Sequence, residues 1–389
     1  MRTRLAPLLA FAARSRVDGG FGYLGADGSL VDRPVETWIS ARMTHVFGLA
    51  TLLGHPGARE LAEHGVTALR SGPLHDAEDG GWRSAVGDDT KAAYVHAFVV
   101  LAGATATVAG LPGGRELLDE ALDVWDRRFW DDDAGLAVES WDRAWTTCED
   151  YRGANANMHG VEAMLAAADA LPGPTADLLR ARALRAAERI VHGFARARDW
   201  RLPEHYTAGW APLPDYNRER PADPFRPFGV TVGHQFEWAR LCLHLEAALG
   251  EAAPGWLRSD ALGLFGAAVD RGWAADGLPG FPYTLDWADA PVVVARMHWV
   301  LCEAVAAAAV LGAVTGEPRF ERLRAEWADL GDRLFLDPAV GSWHHELTPD
   351  GQVATDTWAG KPDAYHLSQM LLIPGRPVRG SLAASLGSR

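Results

Sequence analysis

The chain has 389 residues, 48% hydrophobic and 23% charged, with a formal net charge of −14, the proportions of a globular protein rather than a disordered one. The acidic balance, with no Lys/Arg cluster, argues against a nucleic-acid partner, because phosphate binding needs a basic face. Sixteen tryptophans point to a large core or to stacking surfaces around a ligand.

The N-terminal stretch MRTRLAPLLAFAARSR has the look of a short signal peptide. Its apolar run spans only about eight residues, at the short end for one, and a helix over 3–15 leads straight into a repeating pattern. Apolar periodicity then predicts helices near 35–53, 57–70, 90–110, 114–129, 154–170, 175–195, 231–249, 256–272, 290–312, 317–335 and 363–373. They alternate in kind. GARELAEHGVTALR and PRFERLRAEWADLGDRLF carry a charged outer face, whereas TKAAYVHAFVVLAGATATVAG and ARMHWVLCEAVAAAAVLGAV are apolar nearly all round and should be buried on every side. Connectors rich in Gly, Asp and aromatics recur between them: GGFGYLGADG, DGGWRSAVGDD, WDDDAGLAVESWD, DGLPGFPYTLDWADA and VGSWHHELTPDG.

A repeat of roughly 55–70 residues covering the chain predicts an all-α (α/α)6 barrel, six inner helices ringed by six outer ones, with short β hairpins and loops at the mouth. Residues 1–373 would form one catalytic domain. The aperiodic tail 374–389 is expected to be disordered, and the irregular segment 196–228 is long enough to be functional. No apolar stretch reaches the ~18 residues of a membrane span without an interrupting charge. Cys148, Cys242 and Cys302 are odd in number and widely spaced. No disulfide framework or zinc knuckle is expected, and a cytoplasmic location is.

Polar residues on helices that should be apolar are the informative ones. These are Arg42 and His45; Tyr94 and His96; Asn155, Asn157, His159 and Glu162; His234 and Glu237; Arg296, His298 and Glu303; and Asp363, Tyr365 and His366. Most fall in first turns, where a polar barrel mouth would lie. His45, His96 and His298 read as hydrogen-bonded core residues, Arg42 could pair with Glu36, and His344 and His345 read as surface or loop-packing residues. His234 and Glu237 share one helix face. That spacing can ligate iron or manganese, but the di-metal pattern repeats it on a second helix with extra glutamates, and an arginine nearby disfavours a cation. No metal is expected. A glycosidase needs two carboxyls flanking the bond, whereas here the partners of the carboxylates are imidazoles, which favours proton transfer near neutral pH.

The strings RMTHVFGLA (42–50), NANMHGVEA (155–163), GVTVGHQFEWARL (229–241) and KPDAYH (361–366) together resemble the N-acylglucosamine 2-epimerase superfamily, nearest its mannose and sulfoquinovose isomerase branch. The resemblance implies an (α/α)6 barrel and a cofactor-independent aldose–ketose isomerase acting on a free monosaccharide such as mannose. It also implies that His366 moves a proton between C2 and C1, that His234 opens the ring, and that Arg42 steadies the enediolate. His159 and Asn155 would hold hydroxyls, Glu237 would orient His234 or bind a hydroxyl, and Trp38, Tyr94, Trp299, Asp363 and Arg226 would line the pocket. A sugar 2-epimerase, a sulfoquinovose isomerase and an inactive sugar-binding barrel remain alternatives, and the oligomeric state, monomer or small homo-oligomer, stays open.

Overall fold

The computed structural model describes residues 2–387. The chain opens with α1 (Arg2–Ala12), then lays down helix pairs: α2 (Thr37–Leu52) with α3 (Ala58–Ser71), and α4 (Ala93–Val108) with α5 (Gly114–Val124). Next come α6 (Ala154–Ala170) with α7 (Pro174–Ala187), and α8 (Val232–Leu249) with α9 (Trp256–Gly272). The last are α10 (His298–Thr315) with α11 (Pro318–Leu334), followed by α12 (Tyr365–Leu372) and a short α13 (Leu382–Gly387). Helices α5 and α7 each continue into a π-helical stretch, Trp125–Phe129 and Glu188–Ala195.

The even-numbered helices α2 to α12 contact one another in sequence, and α12 returns to α2, so they close a ring. Each carries its outer partner, with α1 backing α12. This is the expected (α/α)6 barrel. The inner wall is almost wholly apolar: thirteen residues of α4 and twelve of α10 are buried. Helix α10 is long and apolar enough to cross a membrane, but it is mostly buried here between α8, α11 and α12. It begins at His298 rather than near 290 because Pro291–Val293 and Arg296–Met297 are extended, as Pro and β-branched residues favour.

One device repeats around the mouth. No inner helix has a side-chain N-cap at the residue that precedes it, so the orphan amides of its first turn need other partners. The leading N–H of α2 donates to Ser84 O at 3.0 Å, that of α4 to Glu139 O at 2.7 Å, and that of α6 to Glu204 O at 2.9 Å. Val232 of α8 donates to Tyr283 O at 3.3 Å and His298 of α10 to His345 O at 3.0 Å. Each acceptor lies in the connector leading to the next inner helix. In the last unit Lys361 N donates to Leu24 O at 2.9 Å, tying the chain's end to its beginning. Short antiparallel pairs such as Tyr151–Gly153 with His205–Thr207, and Arg296–Met297 with Glu346–Leu347, complete the rim.

The tail expected to be disordered from 374 is folded as far as Gly387, while Ser388 and Arg389 lie outside the described residues. Leu382, Ala383 and Leu386 are buried, and α13 lies across the far ends of α2, α4 and α6. Ser381 Oγ donates to Asp169 at 2.9 Å, and His244 Nδ1 meets Arg379 O at 2.6 Å. Small residues such as Ala383 and Ser385 let the segment lie close to the barrel floor, a fit that periodicity does not detect. Replacing Leu382 and Leu386 together by Ala should cost roughly 2 kcal/mol per site. Urea unfolding would show it as a lower midpoint, and an unchanged midpoint would mean the floor is not part of the folded core.

Candidate active site

All six inner helices present their N-terminal ends to one cavity of about 590 Å³, its open mouth included. Trp38 and Arg42 reach it from α2, Tyr94 from α4, Asn155 and His159 from α6, His234 and Glu237 from α8, His298 and Trp299 from α10, and His366 from α12. The partial positive charge at helix N-termini therefore converges from six directions. Such a field favours an anion in the cavity.

Arg42 is the cation at the wall. Its Nη1 donates to Asp363 Oδ2 at 3.1 Å and its Nη2 to the Tyr94 hydroxyl at 2.8 Å, and its guanidinium lies over the Phe98 ring at 4.3 Å. Its Nε has no partner. Burial opposes ionisation of Asp363, but the Arg42 guanidinium beside it outweighs burial and holds the carboxyl below its usual range. Burial pushes the Tyr94 hydroxyl up to about 12, so it stays a neutral donor.

Two histidines flank an indole. The Trp299 ring lies 5.2 Å from His234 and 5.5 Å from His366, centroid to centroid. Gly233 makes this possible, because a Cβ there would sit 2.2 Å from the indole. Each imidazole is backed by a carboxylate at Nδ1: Glu204 Oε1 at 3.0 Å from His234, and Glu303 Oε1 at 2.8 Å from His366. An ionised carboxylate there accepts the Nδ1 proton and leaves Nε2 as a base. Burial, then Arg42, holds His366 well below the usual imidazole range. It is a neutral base at neutral pH.

Under the cavity, Arg240 sits among Glu162, Glu237 and Glu303. Two triplets there, His159–Glu162–Glu237 and Glu237–Glu303–His366, have ligand atoms close enough to share an ion. The Arg240 guanidinium already occupies the cation's place between the carboxylates, with Nε 2.9 Å from Glu303, so the donor set does not suit a metal.

The structure brings together Trp38, Arg42, Tyr94, Asn155, His159, His234, Glu237, Trp299, Asp363 and His366. Arg226 is a correction. It is not a lining residue; it stacks 4.0 Å over Tyr151 and pairs with Glu149 at 2.6 Å. In doing so it anchors the loop that places Pro224 and Phe225 in the wall. Glu237 makes no hydrogen bond to His234, whose partner is Glu204. Glu36 does not take Arg42; it binds Arg33 and the Trp38 indole. His45 and His96 are core residues, bonded to Thr105 and to the backbone of Ala92 and Trp82. His298 and His345, read as packing, both line the cavity and stack on each other at 3.8 Å. Glu204, Tyr283, Phe225 and Trp358 were missed because they sit in connectors. The signal available was position: Glu204, Tyr283 and His345 occupy equivalent places in successive repeats.

Comparison with known proteins agrees with this geometry. The family model described as N-acylglucosamine 2-epimerase matches residues 19–370. The chain is 52% identical to a D-mannose isomerase of Thermobifida fusca, over 97% of this chain and 93% of that protein. It is 49% identical to a D-mannose isomerase of Pseudomonas cannabina pv. alisalensis, over 97% and 92%. A crystal structure of D-mannose isomerase superimposes with a TM-score of 0.86 at 28% identity, over 95% of this chain and 96% of that one.

Burial pushes His45, His159, His244 and His298 down to about 4. Unfolded, they titrate near 6.5, so below that pH the unfolded state binds protons the folded state refuses. Stability should be full above about pH 6.5 and fall as pH drops toward 4, by about 2 kcal/mol per histidine at pH 5. Urea midpoints at pH 7 and pH 5 test this; equal midpoints would show that these imidazoles are charged in the fold.

Proposed function

This chain belongs to the N-acylglucosamine 2-epimerase family, and from that premise we propose that it is an aldose–ketose isomerase interconverting D-mannose and D-fructose. The observation that carries the reading is the pair of carboxylate-backed histidines, His234 and His366, either side of Trp299 and facing the Arg42 guanidinium. A proton alpha to a carbonyl is weakly acidic, so its removal needs a positioned base that is unprotonated at neutral pH and a cation at the developing oxyanion. Near-50% identity to two D-mannose isomerases over nearly the whole chain supports mannose as the aldose.

In this reading His234 takes the anomeric hydroxyl proton as the C1–O5 bond breaks and delivers it to the ring oxygen. His366 Nε2 removes the C2 proton, whose bonding pair becomes the C1=C2 bond of a cis-enediolate with the charge on O1. His234 carries the O2 proton to O1, and His366 returns its proton to C1 as the C2 carbonyl forms. Arg42 and the converging helix N-termini stabilise the negative oxygen, and the unpartnered Oδ1 of Asn155 accepts a sugar hydroxyl. The chemistry needs no cofactor. Three free thiols, two of them buried, suit a reducing compartment, which supports the cytoplasm as its location.

His366→Ala should lower kcat roughly 10²–10⁴-fold and abolish deuterium uptake at C2 from D2O while mannose still binds. Undiminished exchange would remove His366 from the mechanism. Incubation with mannose, fructose and glucose, followed by product chromatography, separates isomerisation from 2-epimerisation, since an epimerase would form glucose from mannose directly. Turnover should survive exhaustive chelation; loss restored by a divalent ion would return a metal to the site.

A further inference from the structure

Beneath the sugar cavity, three carboxylates converge on one guanidinium. Arg240 is 2% exposed and Glu237 and Glu303 are fully buried. Arg240 Nε donates to Glu303 Oε2 at 2.9 Å, Nη2 lies 3.4 Å from Glu237 Oε1, and Nη1 lies 3.9 Å from Glu162 Oε1. On the far side is a smaller cavity lined by His45, His244, Glu162, Arg240 and Gln369. With all three carboxylates ionised, two negative charges would be uncompensated in a volume largely closed to water, which desolvation opposes strongly.

No neighbour supplies the missing charge. From α2, Arg42 is committed to Asp363. From α6, His159 lies 3.5 Å from Glu162 and 3.8 Å from Glu237, but burial pushes it down to about 4. His244 on α8 and His298 on α10 are likewise pushed down to about 4, and His366 on α12 well below its usual range. Tyr94 on α4 and Tyr365 on α12 are pushed up by burial and stay neutral. One proton on a carboxylate leaves a single excess negative charge, which the donors around Glu162, the Tyr365 hydroxyl and Gln369 Nε2, offset.

The hydrogen-bond donors decide which one. Glu162 accepts from the Tyr365 hydroxyl and from Gln369 Nε2 at 3.0 Å. Glu303 accepts from Arg240 and faces His366 Nδ1. Glu237 has only the 3.4 Å contact to Arg240, and its Oε2 has no partner. We propose that Arg240 is a positioning residue that apportions one proton among these carboxylates, keeping Glu303 ionised behind His366 and leaving Glu237 a neutral acid on the cavity wall. Burial raises both Glu237 and Glu303, Glu237 well above the usual range; the Arg240 charge lowers both, and its 2.9 Å hydrogen bond lowers Glu303 further, against a 3.4 Å contact to Glu237. The mechanistic consequence rests on the isomerase reading. Ionised Glu303 stabilises the imidazolium that forms when His366 takes the C2 proton, and neutral Glu237 donates a hydrogen bond to a sugar oxygen.

Infrared difference spectroscopy of the whole protein at pH 7 tests the allocation without turnover. The wild type should show one buried protonated-carboxyl band, and Glu237→Gln should remove it. Arg240→Met should add a second band and move the acid limb of kcat upward by at least one pH unit, with KM changed less than about threefold; Arg240→Lys should restore the wild-type profile. A band that is absent in the wild type or survives in E237Q overturns the proposal. So does an R240M enzyme whose pH profile is unmoved. Should R240M not fold, the E237Q spectrum decides alone. If the band behaves as expected but mannose is not turned over, the isomerase reading fails and the proton allocation stands.

Discussion

The leading amides of the first five inner helices, each bonded to a carbonyl of the connector that follows, set the height and direction of the barrel wall. An amide left unpaired at a buried helix start would cost on the order of 1–3 kcal/mol, so the chain cannot let one helix slide without losing that bond. With the starts held level, the helix dipoles add at one place and first-turn side chains meet there. The same connectors that supply the carbonyls deliver Tyr283 and His345 to the cavity and set Glu204 behind His234. Rim and site are therefore one construction: Glu204 holds the start of α6 through its carbonyl and backs the histidine of α8 through its carboxylate.

Into this apolar wall the fold sets two guanidiniums at different depths. Arg42 faces the cavity and bridges the first and last inner helices through Asp363, 321 residues apart in sequence. Arg240 lies deeper, among Glu162, Glu237 and Glu303. A buried ion pair adds little net stability, but removing one partner costs about 3–5 kcal/mol. Such pairs act as constraints on geometry: Arg42 holds the ring's seam in register, and Arg240 fixes the charge beneath His366. The cavity is thus preorganised before a ligand arrives, the condition under which fixed dipoles and charges accelerate a reaction most.

The helices were legible because each signal was local. Periodicity placed the twelve barrel helices, and polar residues on apolar helices included nine of the groups that line the cavity, His298 among them although it read as a core residue; Trp38 and Trp299 came with the family resemblance. What escaped was decided across the chain. Glu303 was recognisable as an inner-helix carboxylate, but its pairing with His366 is fixed by how α10 meets α12. Glu204 stands in RLPEHYTAG, a loop whose hydrophilic residues carry no period. The His234–Glu237 spacing was read as a pair because one helix face holds both; tertiary packing instead gave His234 a carboxylate from another element. Arg226 looked like a ligand group because arginine often is one, yet its stacking on Tyr151 serves the loop.

The floor segment that ends in α13 makes the barrel a well rather than a tunnel. Among the described residues, the small cavity beneath Arg240 is capped by Gly380–Ala383, so the site opens only at the rim. Phe225 and Trp358, packed edge to face with ring centroids 5.4 Å apart, form part of that rim, and whatever enters must leave past it. For a reversible reaction a single opening imposes strict alternation in both directions, and the same rim limits exchange equally for substrate and product.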